Sequence, residues 1–285
     1  MKAKIILLAL TLASTGCANQ NFDMANLNLD KVVETAGKVY KGPAQITEAQ
    51  EIAMGEGIAS NLLGAAPLLD NKPVQQYINQ VGRWLSVQTE RPDLPWHFAV
   101  LEDEDVNAFA APGGYIFITK GLLIRMKSEA ELAGVLAHEI AHVLKRHHVE
   151  AIRKSTRTTL ITDLAKESLQ QSGVGPALTN LIGVGTELYA RGLDKGDEYE
   201  ADRMGVVIAA RAGYDPYGLP AVLLTLQGMN PTHSSLALMF KTHPALSDRL
   251  DLLDRTMSGA LDRFEMQPDL SPRFTSVMNN AGSGN

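Results

Sequence analysis

The segment His138-Glu139-Ile140-Ala141-His142 places two imidazoles four residues apart, with a carboxylate directly after the first. On an α-helix, residues i and i+4 share one face about 6 Å apart along the axis, so both imidazoles can bind one metal ion. Glu139 lies about 100° around the helix, where it can act as general base on a water at that metal. Two imidazoles and a carboxylate suit zinc, with the fourth position left for water. We therefore predict one Zn²⁺ per chain and hydrolytic chemistry.

The residues around this segment predict the helix that it requires. Ser128 and Glu131 have the form of a capping box, and we expect a helix from there to about His148. The alternative is a pair of surface histidines on an amphipathic helix. His147 and His148 follow the motif at spacings that put neither on its metal face, so we predict structural or surface roles for them. The apolar side of the helix comprises Leu132, Val135, Leu136, Ile140, Val143 and Leu144.

A third ligand should be an acid or histidine further along the chain. Glu198 and Asp202 are four residues apart in a second helical segment and share one face. Glu198 could ligate the metal, and Asp202 could accept the second N–H of a liganding histidine and so fix its tautomer. Glu200 is the rival of Glu198. An acidic cluster by itself more often marks a solvated helix face.

The remaining patterns predict an α+β fold, mostly helical with a small sheet that has helices before and after it. We place the catalytic domain at residues 45–260 and a flexible tail at 261–285. The patterns predict helices from Thr47 to about Leu63 and from Pro73 to Leu85, a strand from Trp96 to Leu101, and a hairpin of Asn107–Ala111 and Tyr115–Thr119 around Pro112-Gly113-Gly114.

Taken together, His138-Glu139-x-x-His142 followed by Glu198-x-x-Ala201-Asp202 resembles zinc metallopeptidase family M48, and the segments from Asn107 and Gly121 are similar to those before its zinc helix. The resemblance covers roughly residues 45–255, and the layout is closest to LoiP-type periplasmic lipoprotein proteases. It implies a zincin-like fold with the active-site helix. It also implies that the zinc ligands are His138, His142 and Glu198 and that the base is Glu139.

The resemblance has further implications for the substrate and for regulation. The strand that includes Asn107, Ala108, Phe109 and Ala110 would align the substrate backbone by edge pairing. His243, which precedes a proline, would be a fourth, inhibitory zinc ligand that occupies the water position. Arg249 would contact the oxyanion or the substrate.

The first residues have the pattern of an export signal. Lys2 and Lys4 precede an apolar run that ends at Ala13, and Cys17 follows Ser14-Thr15-Gly16. This resembles a bacterial lipobox, although Ser14 stands where Leu is usual. We expect a signal peptide at 1–16, lipidation of Cys17 and a tether at 17–44. A plain cleaved signal is the alternative. Ala-Asn-Gln after the cysteine favours the outer membrane.

Composition excludes other classes of protein. A net charge of −6 without a large basic block argues against nucleic acid as partner, and a single cysteine rules out a four-cysteine zinc site. We expect a periplasm-facing, lipid-anchored endopeptidase that degrades unfolded or misassembled proteins of the bacterial envelope, with envelope assembly machinery as a further partner. The alternative is a periplasmic chaperone or assembly factor with a plugged, rarely used peptidase centre. A zinc-stabilised structural domain is a weaker third candidate.

Overall fold

Helices precede and follow a small sheet, so the predicted α+β architecture, mostly helical with few strands, is confirmed. The computed structural model describes residues 46–163, 192–229, 234–243, 245–264 and 266–282. The elements are α1 (Glu48–Ala65), α2 (Lys72–Ser86), β1 (His97–Leu101), β2 (Ala108–Ala111), β3 (Tyr115–Thr119), α3 (Lys120–Leu123), α4 (Glu129–Leu144), α5 (His147–Asp163), α6 (Lys195–Arg211), α7 (Gly218–Gln227), α8 (Ala237–Thr242), α9 (Leu246–Met257) and α10 (Ser271–Gly282), with short 3₁₀ helices at Ser234–Leu236 and Asp262–Phe264.

Strand order in the sheet is β1-β3-β2, with β3 parallel to β1 and antiparallel to β2. The predicted hairpin is therefore confirmed, with Ala108 opposite Ile118. Gly113 and Gly114 adopt φ values of 75° and 103° in its turn, a left-handed conformation that glycine adopts without steric cost. This arrangement leaves β2 at the edge of the sheet.

Side-chain caps begin the helices where the sequence predicts them. Thr47 and Gln50 form a reciprocal capping box at α1, and Asn71 caps α2 ahead of its early proline. At α4, the Ser128 side chain accepts a hydrogen bond from the Glu131 N–H at 3.1 Å. These caps satisfy backbone donors that would otherwise lack a partner at a helix start.

The helix that carries the histidine motif, α4, is buried along its entire length up to Val143. It packs against α2, α6, α7 and β2, which places it inside the protein rather than on its surface. The helix ends at Leu144, earlier than the predicted His148, because Arg146 turns the chain with a φ of 57°. A new helix, α5, then begins at His147.

The C-terminal segment differs from the flexible tail expected at 261–285. Within it, α10 packs against α2 and α4, and Phe274 is only 3% exposed. Arg273 forms an ion pair with Glu129 at the first residue of α4, and the Asp269 carbonyl accepts a hydrogen bond from the Ala130 N–H. The described part of this segment is therefore held by tertiary contacts, which the local sequence does not indicate.

Two observations concern the predicted attachment of the chain to a membrane. The predicted signal peptide, Cys17 and tether lie outside the described residues. No described helix combines the length and the hydrophobicity that a bilayer crossing requires.

Candidate metal centre

Close packing of α6 on α4 builds the centre. At Gly205 of α6, an added Cβ would lie 2.9 Å from the backbone nitrogen of His138, so a larger residue would force the two helices apart. Because Glu198 and Asp202 precede Gly205 on the same helix, the close approach brings both carboxylates against the imidazoles of α4. Glu198 and His142 are both fully buried, at 0% exposure.

The side chains of His138, His142, Glu198 and His243 each offer one ligand atom, and these atoms lie within 4.8 Å of one another. Nε2 of His138 is 3.0 Å from Nε2 of His142, and these two atoms are 3.6 and 3.5 Å from the oxygens of Glu198. A tetrahedral metal with ligand bonds of 2.0–2.2 Å needs donor atoms about 3.3–3.6 Å apart. Both distances to Glu198 lie in this range and the distance between the two imidazoles is slightly shorter, so the donor set suits a small divalent metal ion.

A second layer of charge surrounds these donors. Oδ1 of Asp202 lies 3.0 Å from Nδ1 of His138, on the ring side that faces away from the cluster. Arg249 donates to Asp202 from Nε at 2.7 Å and from Nη2 at 2.6 Å, and its Nη1 lies 3.0 Å from Glu198. Each guanidinium nitrogen thus already faces a carboxylate. The resemblance implies a contact of Arg249 with the oxyanion or the substrate, and in the structure its guanidinium contacts Asp202 and Glu198.

Positive groups keep both carboxyl groups ionised despite their burial. Burial raises the pKa of Glu198, but the charge of His243 and hydrogen bonds from His138 and His243 hold that pKa well below its usual range. Burial likewise raises the pKa of Asp202, and the Arg249 charge with a hydrogen bond from His138 brings that pKa below its ordinary value. Both side chains therefore present full negative charge to the imidazoles.

Glu139 lies beside the donor cluster and outside it. Its side chain is 2% exposed, and its Oε1 is 3.9 Å from Nε2 of His243. Among the described residues, its Oε2 has no hydrogen-bond partner. Burial raises the pKa of this carboxyl, although the charges of His243 and His138 oppose the rise. A buried carboxyl with a free oxygen next to a metal-binding cluster can exchange protons with a water or substrate placed there.

His243 joins the cluster from a different part of the fold, directly after α8. Its Nδ1 is 3.0 Å from Oε2 of Glu198, and its Nε2 is 3.4 Å from the carbonyl oxygen of Ala108. The structure therefore brings this histidine, which is 101 residues beyond His142 in the sequence, to the same centre. The following proline, residue 244, lies outside the described residues.

The edge of the sheet lines the other side of the centre. Ala108, Phe109 and Ala110 belong to β2, while Asn107 precedes it and pairs with Thr119 through its backbone. The Asn107 side-chain oxygen accepts from the Ala108 N–H at 3.0 Å, and its Nδ2 has no partner among the described residues. Two cavities lined by described residues reach both Glu139 and His243, with volumes of about 40 and 20 Å³.

His147, for which the sequence predicts a structural or surface role, contacts one of the histidines of the centre. It is 6% exposed, and its Nδ1 is 2.9 Å from Nδ1 of His142. Its Nε2 is 3.2 Å from Glu200, the predicted rival of Glu198, so Glu200 is held away from the donor cluster. On one continuous helix His147 would point away from the face of His142, and only the turn at Arg146 brings it back.

Similarity to known proteins agrees with this geometry. Residues 72–257 match peptidase family M48. Beta-barrel assembly-enhancing protease of Yersinia pestis is 32% identical over 214 residues, which are 73% of this chain and 44% of that protein. Mitochondrial metalloendopeptidase OMA1 of Schizosaccharomyces pombe is 30% identical over 190 residues, 66% of this chain and 54% of that protein. Metalloprotease LoiP of Escherichia coli (strain K12) is 27% identical over 263 residues, 90% of this chain and 98% of LoiP. The chain thus spans less than half of the first of these relatives and nearly all of LoiP.

Proposed function

The chain belongs to peptidase family M48 and is a metalloendopeptidase, and on this premise we propose that it uses zinc to hydrolyse unfolded or misassembled proteins of the bacterial cell envelope. The observation that carries the proposal is the set of four donors within 4.8 Å, with the buried carboxyl of Glu139 beside it. A structural zinc site fills all four positions and has no need of such a carboxyl.

His138, His142 and Glu198 would hold the zinc ion, since their donor atoms are 3.0 to 3.6 Å apart, close to the spacing of a tetrahedral site. Zinc bound there would lower the pKa of a water molecule and polarise the carbonyl of the scissile peptide bond. We assign Arg249 to a positioning role, because each of its three guanidinium nitrogens contacts Asp202 or Glu198 and so holds these carboxylates in place.

Glu139 would act as the general base and then as the general acid. Its free oxygen accepts a proton from the attacking water, and the same carboxyl returns that proton to the departing amine nitrogen. Burial excludes bulk solvent from this exchange, which keeps the proton on the path between water and leaving group.

The substrate would bind as an extended strand along β2. This strand is at the edge of the sheet and pairs with β3 on its other side, which is the position where a sheet adds a further strand. The Nδ2 of Asn107 is a further donor for a substrate carbonyl. Recognition of main chain suits unfolded proteins of many sequences, because extended backbone is what they share.

The envelope setting is supported by similarity and by the first residues of the sequence. Two relatives are named beta-barrel assembly-enhancing protease and LoiP, and Cys17 follows an apolar run in a lipobox-like position. We propose signal cleavage before Cys17, lipidation of its thiol and amine, and a periplasm-facing location at the outer membrane. The intact mass of membrane-extracted protein tests this, since a mature chain without an acyl increment on Cys17 would exclude the anchor.

The test of the protease proposal compares the zinc-loaded full chain with its Glu139→Gln variant. We expect cleavage of casein and of an unfolded outer-membrane β-barrel protein by the first, and loss of about 100-fold or more of that rate in the second with zinc content unchanged. A folded β-barrel should resist both. Equal rates for the two chains would exclude Glu139 as the base.

One observation favours a second candidate function, a chaperone or assembly factor with a plugged peptidase centre. His243 reaches Glu198 and Ala108, and the described cavities beside it are far smaller than the roughly 300–1,000 Å³ of typical ligand sites. Binding of one zinc per chain, suppression of aggregation of an unfolded β-barrel, and no cleavage by wild type or Glu139→Gln would favour this candidate.

A further inference from the structure

A chain of three side chains leads from one proposed zinc ligand to the protein surface. Nδ1 of His142 lies 2.9 Å from Nδ1 of His147, and Nε2 of His147 lies 3.2 Å from Oε2 of Glu200. The other oxygen of Glu200 is 2.5 Å from the ammonium nitrogen of Lys145. Glu200 and Lys145 are both partly exposed, whereas both imidazoles are buried.

The backbone is built to hold His147 in this position. Arg146 takes the left-handed φ of 57°, a conformation that is unfavourable for a residue other than glycine. Its side chain is fixed by an ion pair with the buried Glu51 at 3.1 Å and by a hydrogen bond to the Ile46 carbonyl. Such strain persists only where the surrounding contacts enforce it, and the turn presses His147 against His142.

Only one assignment of protons satisfies all of these contacts once His142 binds a metal. Its Nε2 faces the donor cluster and must offer a lone pair, so the ring proton is on Nδ1. Nδ1 of His147 must then accept that proton, which leaves the proton of His147 on Nε2, where it is donated to Glu200. The opposite tautomer of His147 would set two N–H groups head to head.

We propose that His147 and Glu200 are positioning residues that lock His142 in its metal-binding tautomer and ring orientation. The inference rests on the proposed zinc-dependent function. Asp202 fixes His138 in the same way by direct contact, because Oδ1 of Asp202 is 3.0 Å from Nδ1 of His138. For His142, the imidazole of His147 lies between the ring and the carboxylate of Glu200. Each histidine ligand therefore has a carboxylate at the end of its hydrogen-bond chain.

The experiment measures zinc affinity by chelator competition in the full chain and two variants of His147. His147→Leu fills much of the same space without an acceptor, while His147→Asn places its Oδ1 where Nδ1 was and can still accept from His142. We expect the zinc dissociation constant to rise about 10–100-fold in His147→Leu and to stay near the wild-type value in His147→Asn. Glu150→Gln, an exposed change on the same helix, is the matched control and should change nothing.

The outcomes separate this inference from the proposed function. If the wild-type chain takes up no zinc, the proposed function fails. The hydrogen-bond relay from His142 through His147 to Glu200 then fails with it. If wild type binds zinc and His147→Leu binds it equally well, only the relay is wrong. Equal weakening in Leu and Asn variants would assign His147 to packing alone.

A second measurement does not depend on variants that fold. Long-range ¹H–¹⁵N correlation spectra of the zinc-loaded wild-type chain, labelled at histidine, report which ring nitrogen carries each proton. We expect the proton of His142 on Nδ1 and that of His147 on Nε2. A His147 proton on Nδ1 would overturn the relay even if zinc is bound.

Discussion

Arg249 and Asp202 form a doubly hydrogen-bonded ion pair inside the protein, with nitrogen–oxygen distances of 2.7 and 2.6 Å. Both side chains are only 2% exposed. The pair joins α9 to α6 directly behind the donor cluster, and Asp202 in turn meets His138. Arg249 also lies 3.0 Å from Glu198. The position of this third proposed zinc ligand therefore depends on a residue 51 positions further along the chain.

Arg249→Met should destabilise the metal-free chain by about 3–5 kcal/mol, because it leaves the buried Asp202 and Glu198 carboxylates without their cation. Urea unfolding followed by circular dichroism measures the change. Arg255→Met, an exposed substitution on the same helix, is the control and should have little effect. A loss below about 1 kcal/mol for Arg249→Met would show that the carboxylates relax or take up protons.

Local signals in the sequence predicted the parts of this fold that local chemistry controls. The capping residues Thr47 and Ser128 mark the starts of α1 and α4, and the paired glycines mark the turn of the hairpin. The i, i+4 spacing of His138 and His142 places both on one face because helix geometry fixes it.

Features that depend on tertiary contacts could not be predicted in the same way. His147 reaches His142 only because Arg146 adopts a left-handed conformation, which Glu51 enforces from a distant helix. The guanidinium of Arg249 meets two carboxylates only because the packing of α9 on α6 brings Glu198 and Asp202 to it. The contact of His147 with His142 and the contacts of Arg249 with the two carboxylates cannot be predicted from the spacing of these residues in the sequence.

Glu198→Gln should lose most of the zinc affinity, whereas Glu200→Gln should weaken it by no more than about tenfold. Glu198 is fully buried within 3.6 Å of both histidine donors, while Glu200 contacts His147 and Lys145 instead. Glutamine at 200 can still accept from His147, so the relay is weakened and not removed. Equilibrium dialysis with zinc measures both chains. Zinc lost in Glu200→Gln and kept in Glu198→Gln would exchange the two assignments.

His243→Ala should raise the rate of cleavage of unfolded protein while lowering zinc affinity. The side chain lies 3.0 Å from Glu198 and 3.4 Å from Ala108, across the path that a substrate strand would take. If the plugged form holds roughly nine molecules in ten, its removal increases the rate about tenfold. Initial rates on casein at saturating zinc measure this. A fall in rate would instead assign His243 to the chemistry, and no change in either quantity would leave it without a role at the metal.

Phe274→Ala should destabilise the protein by about 3 kcal/mol, because α10 fixes the start of the active-site helix. Phe274 is 3% exposed and packs against Tyr77, whose hydroxyl donates to Glu129 at 2.6 Å. Glu129 is the first residue of α4, and it also accepts from Tyr214 at 2.8 Å. Loss of the Phe274 ring therefore removes buried apolar area. It also loosens Tyr77, whose hydrogen bond to Glu129 fixes the first turn of α4. Thr275→Ala, an exposed neighbour, is the control. Equal unfolding midpoints for the two variants would mean that α10 contributes nothing to the stability of the catalytic domain and that the segment acts as the flexible tail expected from the sequence.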